Sequence, residues 1–179
     1  MFQQIGFFYR DCKRRVGKRW LLWLFVFFSP AIVGIFWYRF ERGMFLTFGK
    51  LYKGIRILFI PLEYLFQSYS NIDIHYQADI AGGLAVLHPS IGVVISGKVI
   101  AGKNLTLTGG NTIGINKKTN WGDFVIGDDC ILGANATIMG GLKMGDGITV
   151  GANACVTKSF TENGIKLAGV PAKMLQIIN

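Results

Sequence analysis

The sequence is poor in cysteine and histidine. Its three cysteines, Cys12, Cys130 and Cys155, are odd in number and have no metal-ligand spacing, which excludes a complete disulfide framework and gives no sign of a metal site. We expect buried, reduced thiols and no metal ion. The only histidines are His75 and His88.

Acidic residues are scarce in the first third of the chain. Residues 1–56 contain 11 Lys or Arg against Asp11 and Glu41, and the rest is balanced, so the formal net charge of +9 belongs to this segment. Twelve of the 14 Phe and three of the four Trp also precede residue 70. A basic and apolar segment is typical of a chain that lies against an anionic membrane surface, whereas nucleic acid would not require the apolar residues. We predict a helical, membrane-associating region, 1–70, and a second domain, 71–179.

Residues 20–38 contain no charge and approach the thickness of a bilayer core as a helix. Pro30 interrupts this segment, and basic residues flank both of its ends, whereas a single span carries its Lys and Arg excess on one side. We favour a helical hairpin that is bent near Pro30 and dips into one leaflet at the cytoplasmic face of the inner membrane. A true span and a hydrophobic interface between soluble subunits remain alternatives. The flanking basic residues are Lys13, Arg14, Arg15, Lys18 and Arg19 before the segment and Arg39 and Arg42 after it; the aromatic residues expected at headgroup level are Trp20, Trp23, Trp37 and Tyr38.

The stretch 44–67 continues apolar, with Lys50, Lys53 and Arg56 three residues apart. This spacing places the charges near one face of a helix. We therefore expect an interfacial amphipathic helix after the hairpin.

The second domain repeats with a period of six residues, which matches neither an α-helix nor a single strand. We predict a left-handed parallel β-helix in which each hexapeptide is a short strand plus a corner, and the apolar residue that heads it points inward. Glycine follows four of these residues, where we expect it to adopt the backbone angles of the turn. The inward residues are Ile126, Leu132, Ile138, Met144, Val150 and Val156; the glycines are Gly127, Gly133, Gly145 and Gly151.

The same period recurs earlier, but its frame slips between Val86 and Ile95 and again between Ile113 and Ile126. A regular coil cannot absorb such an insertion without expelling a loop, and irregular segments on a rigid scaffold often carry function. The first break contains His88-Pro89-Ser90. The earlier inward residues are Ile74, Ile80 and Val86, followed by Ile95, Ala101, Leu107 and Ile113.

Several motifs resemble the serine acetyltransferase branch of the hexapeptide-repeat acyltransferases, over roughly residues 70–175. Sugar-modifying members of the superfamily share the β-helix and the catalytic histidine, and the basic apolar N-terminus favours a membrane-associated polysaccharide O-acetyltransferase type. The resemblance does not extend to residues 1–70. Its motifs are Asp73-Ile74-His75, His88 fifteen residues after Asp73, Gly-Val-Val-Ile-Ser-Gly at 92–97, Thr112-Ile113-Gly114, Leu132-Gly133-Ala134 and Ala168-Gly169-Val170-Pro171-Ala172-Lys173.

The resemblance implies a homotrimer in which CoA lies between neighbouring β-helices. Gly114, Ala134 and Ala152 match the positions that contact CoA, and Lys173 matches a basic residue near its phosphates. The small residues are equally compatible with the repeat itself. Asp123 stands where the resembled enzymes have a second histidine that helps to bind serine, which weakens the case for serine as acceptor.

Acyl transfer from a thioester to a hydroxyl needs a base, and imidazole, with a pKa of about 6.5, suits that role. We predict that His88 is the general base and that Asp73 bonds its other ring nitrogen, fixing the tautomer and stabilising the imidazolium. We expect His75 to be structural.

The leading hypothesis is an acetyl-CoA-dependent O-acetyltransferase that acts on a sugar or lipid-linked glycan. The alternatives are a serine O-acetyltransferase of cysteine biosynthesis and a non-catalytic β-helix that serves as a membrane scaffold. The sequence does not distinguish acetyl from a longer acyl group.

Overall fold

The structure is a computed structural model that describes residues 1–18, 20–116 and 118–175. Arg19 and the side chain of Trp20, which enter the membrane expectation, lie outside the described part, as does residue 117 of the second frame break.

The described part of the first 70 residues is helical. Four α-helices are connected by short 3₁₀ turns, and the last helix ends directly before the first strand. The helices are α1 (Phe2–Val16), α2 (Pro30–Phe48), α3 (Tyr52–Ile55) and α4 (Ile60–Ser70); the 3₁₀ turns are Trp20–Leu24, Val26–Phe28, Gly49–Leu51 and Arg56–Phe59.

The rest of the described chain forms short strands on three faces. Face A contains β1 (Ile72–Ile74), β4 (Val93–Ile95), β7 (Asn111–Gly114), β10 (Thr137–Met139) and β13 (Cys155–Val156). Face B contains β2 (Asp79–Ile80), β5 (Val99–Ala101), β8 (Phe124–Ile126) and β11 (Lys143–Met144). Face C contains β3 (Ala85–Val86), β6 (Thr106–Leu107), β9 (Ile131–Leu132), β12 (Thr149–Val150), β14 (Lys166–Ala168) and β15 (Lys173–Met174).

Pairing is parallel throughout these faces except between β14 and β15. The inward residues predicted from the repeat are buried, and residues that head successive coils lie in register, as Leu132 does on Leu107. The parallel β-helix is therefore confirmed, and its apolar column forms the core.

The coil length explains the two frame breaks. Register partners Ile95 and Ile113 are 18 residues apart, as are Ile138 and Val156. Ile74 and Ile95 are 21 apart, and Ile113 and Ile138 are 25 apart. The extra residues emerge as the Pro89–Ile91 turn after His88 and as the loop before β8.

The glycines of the repeat have a different role from the one expected. None of Gly127, Gly133, Gly145 and Gly151 has a positive φ; the left-handed residues come two positions later, as at Asn135 (φ 58°). At Gly133 an added Cβ would lie 2.6 Å from the main-chain nitrogen of Ala152 in the next coil. These positions are therefore small because successive coils approach closely there.

The helical region covers the open end of the β-helix, whose first coil has main-chain carbonyls without a preceding coil. The buried guanidinium of Arg39 donates to the carbonyl oxygens of Ile80 (2.5 Å) and Ala81 (2.8 Å), and Arg42 donates to that of Gln77 (3.0 Å). Arg14 likewise donates a hydrogen bond to the carbonyl oxygen of Gly83 (2.6 Å). The three arginines therefore cap the sheet edges.

These contacts correct the membrane expectation in detail. Arg39 forms a buried ion pair with Asp11 (2.9 Å), and Arg42 pairs with Asp79 (3.2 Å), so neither is a flanking charge at a membrane. Burial raises the pKa of Asp11, although Arg39 opposes the shift.

The predicted hairpin is also wrong. Residues 20–38 are divided between two 3₁₀ turns and the first half of α2, and Pro30 begins that helix instead of bending one. Tyr38 is buried, and its hydroxyl donates to the carbonyl oxygen of Ala78 (2.9 Å) and accepts from the amide of Ile80 (3.1 Å). Buried Trp37 stacks on Phe66. Neither aromatic residue lies at headgroup level.

Among the described residues, none of the helices combines the length and apolar character needed to cross a bilayer. The predicted amphipathic helix over 44–67 is broken into several short helical pieces. Lys50 and Lys53 are exposed, but Arg56 turns inward, where it pairs with Glu41 (2.7 Å) and with Glu63.

Candidate active site

His88 lies at the corner where face C turns into face A. Its main-chain amide donates to the carbonyl oxygen of Thr108 (2.9 Å), and Pro89 then opens the 3₁₀ turn that forms the corner. An added Cβ at Gly109 would clash with the carbonyl oxygen of His88. Glycine at this position therefore allows the His88 backbone to pass close to the next coil. The backbone of His88 is held in this way while the residue itself is exposed.

Asp73 lies in the middle of β1, between two inward isoleucines, and faces outward. Its Oδ1 accepts a hydrogen bond from Nε2 of Gln67 on α4 (3.2 Å). Within the described part of the chain, no hydrogen bond joins Asp73 to His88. The carboxylate–imidazole pair therefore stays a prediction, and the partner that the structure gives to Asp73 is an amide.

A groove of about 320 Å³ begins at Asp73. It runs along face A from Asp73 and Gln67 to Ile91, the last residue of the turn that follows His88. Asn111 and Thr112 of β7 form part of its wall. A hydroxyl-bearing molecule in this groove would lie against Asp73 and Ile91, the latter three residues after His88 in sequence.

Gln67 was not predicted as part of the site. It lies on α4, and no spacing in the sequence links it to Asp73. The left-handed residue Asn71 (φ 53°) ends α4 just before β1, and this turn brings the amide to the carboxylate six residues later.

His75 has a structural environment. Its Nδ1 accepts from the amide of Gln77 (3.2 Å), and its ring stacks on Tyr76 at 4.5 Å between centroids. Burial lowers the pKa of His75, and the nearby Arg56 guanidinium lowers it further.

The residues expected to bind CoA divide into three places. Ala134 and Ala152 lie on consecutive coils at the corner between faces C and A, since the amide of Asn153 donates to the carbonyl oxygen of Ala134 (2.8 Å). Gly114 lies at the other end of face A, beside Met139. Lys173 is exposed on β15, at the end of face C.

The surface at Gly114 has room for an extended ligand such as CoA along face A. A Cβ added there would meet the side chain of Met139 and no main-chain atom within 4 Å. The small residue at this position is therefore not required by the neighbouring backbone, in contrast to Gly133.

The loop of the second break forms a polar pocket of about 400 Å³. Asp123 lines it together with Lys118, Thr119 and Lys143. The Asp123 carboxylate accepts from the amide of Asn120 (2.7 Å), so it helps to shape the loop.

Two of the three cysteines are buried and offer no nucleophile. Cys130 is buried in the core, where burial raises the pKa of its thiol, and Cys12 is buried beneath the helices, where the pKa rises to about 11. Cys155 lies in β13. Among the described residues, no cluster of His, Cys, Asp and Glu could hold a metal ion.

Comparison with known proteins places this fold. Residues 124–158 match the family model described as hexapeptide repeat of succinyl-transferase. Serine acetyltransferase 4 of Arabidopsis thaliana is 34% identical over 132 residues, which are 73% of this chain and 37% of that protein. The serine acetyltransferase of Helicobacter pylori is 30% identical over 156 residues, which are 86% of this chain and 85% of that protein. The chain spans 37%, 39% and 53% of the length of three curated relatives that it matches, which are serine acetyltransferases 4 and 2 of Arabidopsis thaliana and the serine acetyltransferase of Mycobacterium tuberculosis.

The solved structures extend the likeness to the helices. The crystal structure of Neisseria gonorrhoeae serine acetyltransferase in complex with serine matches 97% of this chain and 69% of that chain, with a TM-score of 0.79 and 25% identity. The expectation that the resemblance stops at residue 70 is therefore wrong, since the basic apolar region has the fold of the helices in that enzyme. On the length and identity of these matches, the chain belongs to the serine acetyltransferase family of hexapeptide-repeat acyltransferases.

Proposed function

We propose that this protein transfers an acetyl group from acetyl-CoA to a hydroxyl, with His88 as the general base. The observation that carries the proposal is an exposed imidazole on a firmly bonded corner, three residues before Ile91, which lines the same groove as Asp73. The imidazole accepts the proton of the acceptor hydroxyl as its oxygen attacks the thioester carbon, and the CoA thiolate leaves. Asp73 stabilises the resulting imidazolium through its negative charge.

Acetyl-CoA is the donor that family membership supports, and the chain offers it a smooth wall. Gly114 presents no side chain on face A, and Ala134 and Ala152 present only methyl groups at the adjoining corner. Lys173 supplies an exposed positive charge for a phosphate group.

The comparisons favour L-serine as the acceptor, because the relatives that match most of this chain are serine acetyltransferases. A second candidate, a sugar hydroxyl, is favoured by the polar pocket around Asp123. An anionic carboxylate there is a poorer partner for the carboxylate of serine than a histidine would be, whereas carboxylates commonly accept hydrogen bonds from hydroxyls. A lipid-linked glycan at the cytoplasmic face of the inner membrane would be such an acceptor.

A panel of acceptors separates these candidates. Purified protein is incubated with acetyl-CoA and either L-serine, D-serine, free hexoses or a lipid-linked sugar, and the release of CoA thiol is followed with a chromogenic disulfide. We expect release with L-serine and not with D-serine. Release with sugars alone would favour the second candidate, and no release with any hydroxyl would contradict both.

We also propose a homotrimer built through the sides of the β-helix. Four apolar side chains on the strands of its faces are more than 40% exposed in a single chain, namely Val94, Ile131, Met139 and Met174. Packing against neighbouring copies would remove them from water. Light scattering should give three times the chain mass of 19.8 kDa, and a monomer at working concentration would refute the arrangement.

A further inference from the structure

Five apolar side chains face solvent in the two 3₁₀ turns that connect α1 to α2. Their side chains are between 54% and 73% exposed. Single exposed apolar residues are common on protein surfaces, but five within eight positions are unusual. We call them the 21–28 patch: Leu21, Leu24, Phe25, Phe27 and Phe28.

Three exposed positive side chains precede this patch in the chain, and one of them, Arg15, lies next to it. Lys13, Arg15 and Lys18, in and just after the last turn of α1, are all exposed. Arg15 and Phe25 line the same surface cavity, so charge and aromatic surface are adjacent. The stacked rings of Tyr9 and Trp23, with centroids 5.8 Å apart, fix the first turn against α1.

The acidic residues of the helical region do not neutralise this surface. Asp11 and Glu41 have side chains that are 0% and 3% exposed, and both accept from arginines. Glu63 is paired with Arg56. Within the described part of residues 1–70, the charge that remains at the surface is therefore positive.

We propose that the 21–28 patch, together with Lys13, Arg15 and Lys18, docks on the surface of an anionic lipid bilayer. The leucines and phenylalanines enter the boundary between headgroups and acyl chains, while the cations meet lipid phosphates. A second copy of the chain is a poorer occupant, because it would bring the same three positive charges against their equivalents. This docking goes beyond acetyl transfer and does not depend on it.

Co-sedimentation of the full-length protein with vesicles tests the proposal. We expect binding to vesicles of phosphatidylcholine and phosphatidylglycerol in a two-to-one ratio, little binding to phosphatidylcholine alone, and weakening with salt. The variant K13Q/R15Q/K18Q should bind about a hundredfold more weakly, since each cation near the surface contributes roughly fivefold. The matched control K103Q/K158Q/K166Q removes the same charge from exposed positions of the β-helix and should bind like the wild type.

A second variant tests the apolar side chains of the 21–28 patch. F25S/F28S replaces exposed side chains and is expected to fold normally while losing binding to the anionic vesicles. Wild-type binding by this variant or by the triple glutamine variant would overturn the proposal, as would equal binding to neutral vesicles. If light scattering instead showed that F25S/F28S alters the molar mass and leaves vesicle binding unchanged, the patch would be a contact between copies and membrane docking would be refuted.

Discussion

Replacing Arg39 by methionine is expected to weaken the attachment of the helical region to the β-helix. The guanidinium, 3% exposed, donates to both carboxylate oxygens of Asp11, to the carbonyl oxygens of Ile80 and Ala81, and to Oε1 of Gln4. Methionine fills similar space without a donor. The carboxylate would then remain buried without its counter-ion, and two carbonyls of the first coil would lose their partner.

The size of the effect follows from the burial of both members of the ion pair, Arg39 and Asp11. Removing one member of a buried ion pair costs about 3–5 kcal/mol. For a chain of this length such a loss lowers Tm by about 6–20 °C. Asp11 also accepts from the amides of Gly83 (2.6 Å) and Leu84 (2.7 Å), and these bonds should survive in the variant and keep the loss within that range.

Urea unfolding followed by circular dichroism measures the change. Arg15→Met serves as the matched control, since it makes the same substitution at an exposed position and should cost less than about 0.5 kcal/mol. The double variant D11N/R39M should recover part of the loss, because the unpaired charge is gone. A loss for Arg39→Met no greater than that of the control would refute the role of this pair in holding the two regions together.

Three further outcomes are expected. Burial lowers the pKa of His75 below its ordinary 6.5, so the unfolded state binds the proton more tightly and stability decreases as pH falls through and below about 6.5. His75→Gln should flatten this loss of stability in urea titrations between about pH 7.5 and 5.5. An unchanged pH dependence of stability in the variant would contradict this expectation. Gly133→Ala should lower the free energy of unfolding, because its Cβ would lie 2.6 Å from the main-chain nitrogen of Ala152. Gly114→Ala would meet only the thioether of Met139, so it should preserve stability and raise KM for acetyl-CoA. Asp73→Asn should lower kcat by about 10²-fold, the lower end of a general-base contribution, in the thiol-release assay; an unchanged kcat would remove Asp73 from the mechanism.

The β-helix could be predicted from the sequence because its core has a simple repeat. Each inward residue, such as Ile138, is buried by neighbours one coil away, and the same contact recurs every 18 residues wherever the frame is unbroken, as between Ile138 and Val156. The position of His88 at a break followed from the same frame. What the repeat could not show was why Gly133 is small, since that depends on the distance between successive coils.

The helical region could not be predicted in the same way. Arg39 and Arg42 resemble membrane-flanking charges when only their neighbours in sequence are considered. Their partners are Asp11 and Asp79, together with carbonyls of a coil edge that exists only in the folded chain. Gln67 could not be identified either, because its contact with Asp73 depends on the turn at Asn71 that joins α4 to β1.

The most direct test of the central claim compares His88→Ala with the wild type in transfer of a labelled acetyl group from acetyl-CoA to the best acceptor. Circular dichroism and light scattering first establish that the variant keeps its fold and mass, as an exposed side chain should allow. Loss of the general base should lower kcat by about 10²–10⁴-fold, with KM for acetyl-CoA little changed. A variant that transfers acetyl at the wild-type rate would contradict the assignment of His88 as the base.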